Sequence, residues 1–229
     1  MQKHFNNITA AGRTYRLEMA EKPPERCLWV DQAGNRHFWA SVTDATSGSI
    51  KSPRTEYRET EADTGEKYNW LPSDHLYNAL IGRCSIDQVP GSGKVIFAQI
   101  HAKDAPTPFV KLLLSGGHIR AEVRVNPYDT SSPFVLKLPY RLGEVVEFAL
   151  NVSRTGDLTI GLNGVSYVTP IAIDWSMYRF YFKAGAYVID TKGAQDDGGK
   201  VTYSRLEVYH GSGRDASSLF KDAARQYLG

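Results

Sequence analysis

Apolar residues in this chain recur mainly at every second position, the spacing of a strand with one buried face. Short alternating runs bounded by turn residues predict strands within 26–39, folded as a hairpin at Gln32-Ala-Gly-Asn35, and within 51–60, 75–89 and 94–103. A second hairpin follows, from Phe109 to Leu114, through Ser115-Gly-Gly117, and back from His118 to Val125. In its return strand Ile119, Ala121, Val123 and Val125 alternate with Arg120, Glu122 and Arg124. The series continues through 134–140, 145–152, 158–162, 178–188 and 201–209, with a polar loop at 191–199. Gly91-Ser-Gly93 predicts a hairpin turn. Its Gly-Ser-Gly-Lys lacks the full spacing of a phosphate-binding loop and leads into a strand, not a helix. Helical spacing is convincing only near the end, where Leu219, Phe220, Ala223, Ala224 and Tyr227 share a face after Asp215, a capping residue. About a dozen short strands and one short C-terminal helix predict an all-β antiparallel sandwich or barrel.

One of these strands has two chemically distinct faces. In the run from Tyr178 to Tyr187, Phe180, Phe182, Ala184 and Ala186 form a core face. Tyr181, Lys183, Gly185 and Tyr187 form the other, a cationic floor in which the glycine leaves clearance for a ligand beside a proton donor. Arg54, Glu56 and Arg58 share one face of another strand, and Gln99 and His101 one face of a third. Alone, each is an ordinary polar sheet face; together they bring guanidinium, amide, imidazole and phenol groups to one fold.

In chain order, Arg54-Thr-Glu-Tyr-Arg58, Gln99-Ile-His101 and Tyr181-Phe-Lys-Ala-Gly-Ala-Tyr187 resemble the signature set of the family 7 polysaccharide lyases, the alginate lyases, over about residues 50–210. The resemblance implies a single-domain β-jelly roll over 1–229, a concanavalin A-like sandwich of two antiparallel sheets with a substrate groove along the concave one. It implies a lyase that cuts the 1,4-glycosidic bond of an acidic uronate polymer by metal-independent β-elimination, with no cofactor. Arg54 and Gln99 are implied as carboxylate neutralisers, His101 as the base at C5, and Tyr187 as the acid at O4. In the family the tyrosine also serves as base, depending on the C5 epimer, and here Lys183 and Arg54 are expected to favour its anion. Glu56 is expected to orient Arg54 or Arg58, while Arg58, Arg120, Arg124, Tyr181 and Lys183 complete a substrate-binding set; arginine forks match a carboxylate on every sugar. Ile100, between Gln99 and His101, is the variant that in the family goes with guluronate, whereas valine leans to mannuronate. After Tyr187 the family commonly continues Asn-Gln, but Val188-Ile-Asp190 stands here, which alters residues expected at the groove's border.

Composition narrows the alternatives. With 229 residues, 41% of them hydrophobic, and no linker of biased composition, one domain is expected. A net charge of +2 announces neither nucleic acid nor a membrane, so the expected partner is alginate or a related anionic polysaccharide, bound by local charge, and the chain is expected to be a monomer. The first thirty residues hold no apolar signal segment, so as written the chain is expected to be cytoplasmic, or periplasmic or secreted if a leader was removed. Cys27 and Cys84 read as small buried apolar residues, with a disulfide as the alternative. Glu59, Glu61 and Asp63 alternate as a glycosidase's carboxylates could, yet run into a turn and read as a solvated strand end. The stronger rival is a non-catalytic carbohydrate-binding module with a platform drawn from four tryptophans and 13 tyrosines, and a lyase for another polyuronate such as glucuronan is a further reading. The six histidines are scattered and point to no metal site. Trp29, Phe38 and Trp39 are expected in the core, and Asn7 and Asn151 match glycosylation acceptors.

Overall fold

The computed structural model describes residues 4–46, 52–129 and 133–211. In chain order its strands are β1 (Asn7–Ala10), β2 (Arg13–Arg16), β3 (Leu28–Val30), β4 (Arg36–Ser41), β5 (Arg54–Arg58), β6 (Tyr77–Gln88), β7 (Lys94–Ala102) and β8 (Val110–Ser115). They continue as β9 (His118–Val123), β10 (Phe134–Pro139), β11 (Val145–Ser153), β12 (Asp157–Leu162), β13 (Val165–Pro170), β14 (Phe180–Val188) and β15 (Gly198–Gly211). They form two antiparallel sheets, an eight-stranded one ordered β10-β9-β8-β7-β14-β5-β1-β2 and a seven-stranded one ordered β13-β12-β11-β6-β15-β4-β3. This is the expected jelly-roll sandwich. Helix among the described residues is confined to three short 3-10 turns, and no helix there is long and apolar enough to cross a membrane. The predicted C-terminal helix lies outside the described residues.

The core lies between the sheets and is filled by the inward half of each alternation. Phe180, Phe182, Ala184 and Ala186 of β14 are fully buried, together with Ile100 of β7 and Phe38 and Tyr203 of the facing sheet, and Tyr57 of β5 is buried beside them. Burying a phenylalanine of this kind stabilises by about 1.5–3 kcal/mol. Beneath the central strands β7 is bulged between Ile96 and Ala98, which takes the Phe97 carbonyl out of the regular ladder. Tyr203 of the opposite sheet donates its hydroxyl to that carbonyl. The bulge is thereby satisfied from below and the two sheets are tied under the middle of β7.

Several sequence expectations change. Gly91-Ser-Gly93 is not a hairpin, because β6 and β7 belong to different sheets and the turn carries the chain from one to the other. The corner is pinned from outside: Asp190 accepts from Ser92 N at 2.8 Å, and Asp197 from Gly91 N at 3.4 Å. Asp190, next to the Val188-Ile189 that stands where the family has Asn-Gln, thus anchors a corner. Glu59 is not a solvated strand end but is fully buried; Trp70 Nε1 and Phe182 N donate to one carboxylate oxygen at 3.0 and 2.7 Å, and His210 Nε2 lies 2.5 Å from the other. Three partners satisfy a charge that would otherwise be costly to bury. Cys27 and Cys84 are buried and free, and Asn7 and Asn151 are buried, which takes both acceptor motifs out of the folded surface. Phe38 is core, whereas Trp29 is 36% exposed and stacks on His37 at 4.8 Å.

Candidate active site

Side chains directly opposed across neighbouring strands share a face, so the register assembles the site. Arg54 of β5 opposes Tyr187 of β14, Glu56 opposes Gly185, and Arg58 opposes Lys183. On the other edge of β14, Lys183 opposes Gln99 and Tyr181 opposes His101. The three sequence motifs therefore occupy three adjacent strands and put their polar residues on the outer, groove face of the eight-stranded sheet.

Glu56 is the hub of this face. The carboxylate expected to orient Arg54 or Arg58 receives Gln99 Nε2 on one oxygen and Lys183 Nζ on the other, in two very short contacts. Glu56 and Lys183 are both buried, so the pair matches charges that neither could carry alone. Lys183, expected to hold substrate, is thus a neutralised partner, and burial lowers its pKa against the opposing pull of Glu56. Because Glu56 is an acceptor, it fixes the Gln99 amide with Nε2 toward itself. Gly185 has a different reason to be glycine than clearance for a ligand. Its φ is +154°, and a Cβ there would lie 2.3 Å from the Thr55 carbonyl oxygen, so the glycine lets β5 close against β14.

Removing Glu56 tests the hub. Glu56→Ala leaves Lys183 without its counter-charge and is expected to cost about 3–5 kcal/mol, read as a lower urea midpoint. Glu56→Ala combined with Lys183→Met should recover much of that loss. An unchanged midpoint in the single variant would show that the pair is not coupled.

His101 is half-buried, and its ring stacks on Tyr181 with centroids 5.2 Å apart. Its Nδ1 lies 2.9 Å from the Ala102 carbonyl. A carbonyl only accepts, so Nδ1 carries the proton and Nε2 keeps a lone pair. Burial first, and then the charge of Lys183, push its pKa down to about 4, so the ring is neutral at neutral pH. Tyr187 carries Arg54 near its ring, with Cζ 5.8 Å from the centroid. Its pKa moves up from the ordinary phenol value, through burial first and Glu56 second, with Arg54 opposing. Of the two cations expected to favour the phenolate, Arg54 does pull that way but is outweighed by burial and Glu56, and Lys183 is paired with Glu56. His101 and Tyr187 both feel the charges of Glu56 and Arg54, so the imidazole and the phenol share two charged neighbours.

The remaining candidates divide. Arg58 lies over the Tyr181 ring at 3.6 Å and donates to the carbonyls of Glu59 and Tyr68 and to Asn69 Oδ1. Burial lowers its pKa to about 10, and its donors serve the fold, so it braces Tyr181 and the 59–69 segment. Arg124 follows the end of β9 and is buried, and its carbonyl accepts from Trp175 Nε1 at 3.0 Å. Arg120 lies on the same face as Gln99, by way of β8: Gln99 opposes Lys111, and Leu113 opposes Arg120. Lys111 was missed by the sequence reading because its run, Val110-Lys-Leu-Leu-Leu, looks like an apolar strand with one stray charge. Ile100 is fully buried and faces the core, so any effect on sugar preference passes through the backbone. Among the described residues no cluster of three or more His, Cys, Asp or Glu is arranged to hold a metal ion.

Comparison with known proteins concerns the chain as a whole. The family model described as alginate lyase matches residues 14–210. Among solved structures, the chain is similar to the alginate lyase PA1167 from Pseudomonas aeruginosa, with a TM-score of 0.81 and 27% identity over 91% of this chain and 98% of that one. The alginate lyase A1-II', a member of polysaccharide lyase family 7, aligns with a TM-score of 0.80 and 23% identity over 92% of this chain and 96% of its own. An alginate lyase from Klebsiella pneumoniae aligns with a TM-score of 0.79 and 18% identity over 93% and 97% of the two chains; at such identities these last two matches speak for the fold. A variant of A1-II' has been solved in complex with a substrate, GGMG. No curated protein sequence matches the chain.

Proposed function

Since this chain belongs to polysaccharide lyase family 7, the alginate lyases, we propose that it cleaves the 1,4-linkage of alginate by β-elimination, leaving a C4–C5 unsaturated uronate at each new non-reducing end. The observation that carries the reading is the register, which aligns Arg54, Gln99, His101 and Tyr187 on three adjacent strands of one face. The obstacle in such a reaction is the weak acidity of the C5 proton. Arg54 and the Gln99 amide, through the Nε2 hydrogen not given to Glu56, act on the C6 carboxylate, so that further negative charge can move onto it as the proton leaves, in an environment already organised for that charge. His101, neutral and with Nε2 unprotonated, takes the C5 proton. Tyr187, kept as a phenol, gives its proton to O4 as the C4–O4 bond breaks. One C–H and one C–O bond break, a C=C bond forms, and no water is consumed.

Incubation with polymannuronate, polyguluronate, alginate and glucuronan, followed by the ultraviolet absorbance of the conjugated product, tests the reading and the sugar preference together. Absorbance should grow on alginate and persist in excess chelator, because carboxylate neutralisation is assigned to Arg54 and Gln99. Binding of the polymers without any unsaturated product would instead establish a carbohydrate-binding module.

The two shifted groups also fix a pH profile. The base works deprotonated, so activity is present above the His101 pKa of about 4 and falls as pH drops through it. The acid works protonated, and Tyr187 with its raised pKa stays so across the neutral and mildly alkaline range. The free-enzyme profile of kcat/KM should therefore be flat through pH 6–7, where an ordinary histidine titrates at about 6.5. Activity that fell instead as pH dropped through about 6.5 would contradict the half-buried, neutral His101.

A further inference from the structure

The groove face does not stop at the four reacting groups. From Lys183 a single register row crosses the sheet outward through Gln99, Lys111 and Glu122 to Phe134, each directly opposed to the next. In the adjacent row Arg120 of β9 directly opposes Lys137 of β10. Two cations facing each other across a ladder destabilise it, unless an anion lies between them. The carboxylate on the same face of β9 is already committed, because Glu122 is ion-paired with Lys111. Phe134, an aromatic residue on an outer face, is 49% exposed, and the Arg120 guanidinium lies over its ring at 4.6 Å. That contact holds the fork flat and leaves its edge for a ligand. Among the described residues Arg120 Nε is buried without a hydrogen-bond partner, and Lys137 is exposed.

Resting on the lyase reading, we infer that Arg120, Lys137 and Phe134 form a distal subsite that captures the carboxylate of a uronate well removed from the bond being cut. The reacting groups lie across β5, β14 and β7, and continuing in that direction β10 is three strands beyond β7, about 14 Å at the usual strand spacing, so the sugar held there is about three units along the chain. The subsite makes the protein favour long, regularly charged glycans over short ones. Substrate already held at β10 enters the reacting face with less freedom left to lose.

The test compares kcat/KM on oligouronates from trimer to octamer for the wild type, Arg120→Ala, Lys137→Ala and Phe134→Leu. Wild-type efficiency should climb steeply once the oligomer is long enough to reach β10. The ratio of octamer to trimer efficiency should fall about tenfold in each charge variant, the loss of one hydrogen bond to a charged group, and less in Phe134→Leu. A wild-type profile without a length step, or variants that lose the same factor at every length, would overturn the subsite. Affinity electrophoresis through gels containing alginate reads the same contacts without turnover. If the wild type made no unsaturated product, the lyase reading would fall, and retardation equal in wild type and charge variants would then overturn the subsite as well; weaker retardation of the variants alone would uphold it.

Discussion

Tyr187→Phe is expected to reduce turnover on alginate by roughly 10³-fold or more, toward the upper end of the ~10²–10⁴-fold that positioned acid–base groups contribute. The change keeps the ring, and with it the contact to Arg54, and deletes only the oxygen that carries the proton to O4. The C4–O4 bond would then have to break with no donor beside it. KM should move little, and the urea midpoint should stay within experimental scatter, because the hydroxyl is not part of the core. Near-wild-type turnover would show that another group protonates the leaving oxygen. His101→Asn is the natural companion: a loss on polyguluronate alone would mean that Tyr187 serves as base on mannuronate despite its raised pKa, whereas equal losses would assign the base role on both to His101.

Arg54→Ala should rank second. Charge reaches the C6 carboxylate only as the C5 proton leaves, so the guanidinium acts mainly in the transition state, and its removal should fall on kcat. Loss of one preorganised donor at a developing oxyanion costs ~10²–10³-fold, and a charged donor belongs at the upper end. Arg54→Lys should recover part of the rate, since it restores the charge without the fork. An effect confined to KM would make Arg54 a uniform binder of substrate.

The sandwich and the site were legible in the sequence to different depths. Period-two alternation found the long central strands, because each buries one face and the pattern is strict from Tyr178 to Val188. It missed β1, β2 and β13, which are short or largely exposed and carry little apolar signal. Alternation fixed the face of Arg54, Gln99, His101 and Tyr187 but not their partners: nothing local says that Glu56 will choose Gln99 and Lys183, residues 43 and 127 positions away. Alternation also ran β9 on to Val125, two residues past its end at Val123. Glu59 was misread for a related reason, since two of its three partners, Phe182 and His210, are remote in sequence and only the packed sheets bring them to it.

Whether the bond breaks by elimination on this face can be read from the masses of the products of a defined uronate hexamer. Every fragment bearing a new non-reducing end should be lighter by one water than its hydrolytic counterpart, and this species should all but vanish in Tyr187→Phe. Fragments at the full hydrolytic mass, or unsaturated fragments formed equally well by Tyr187→Phe, would contradict that expectation.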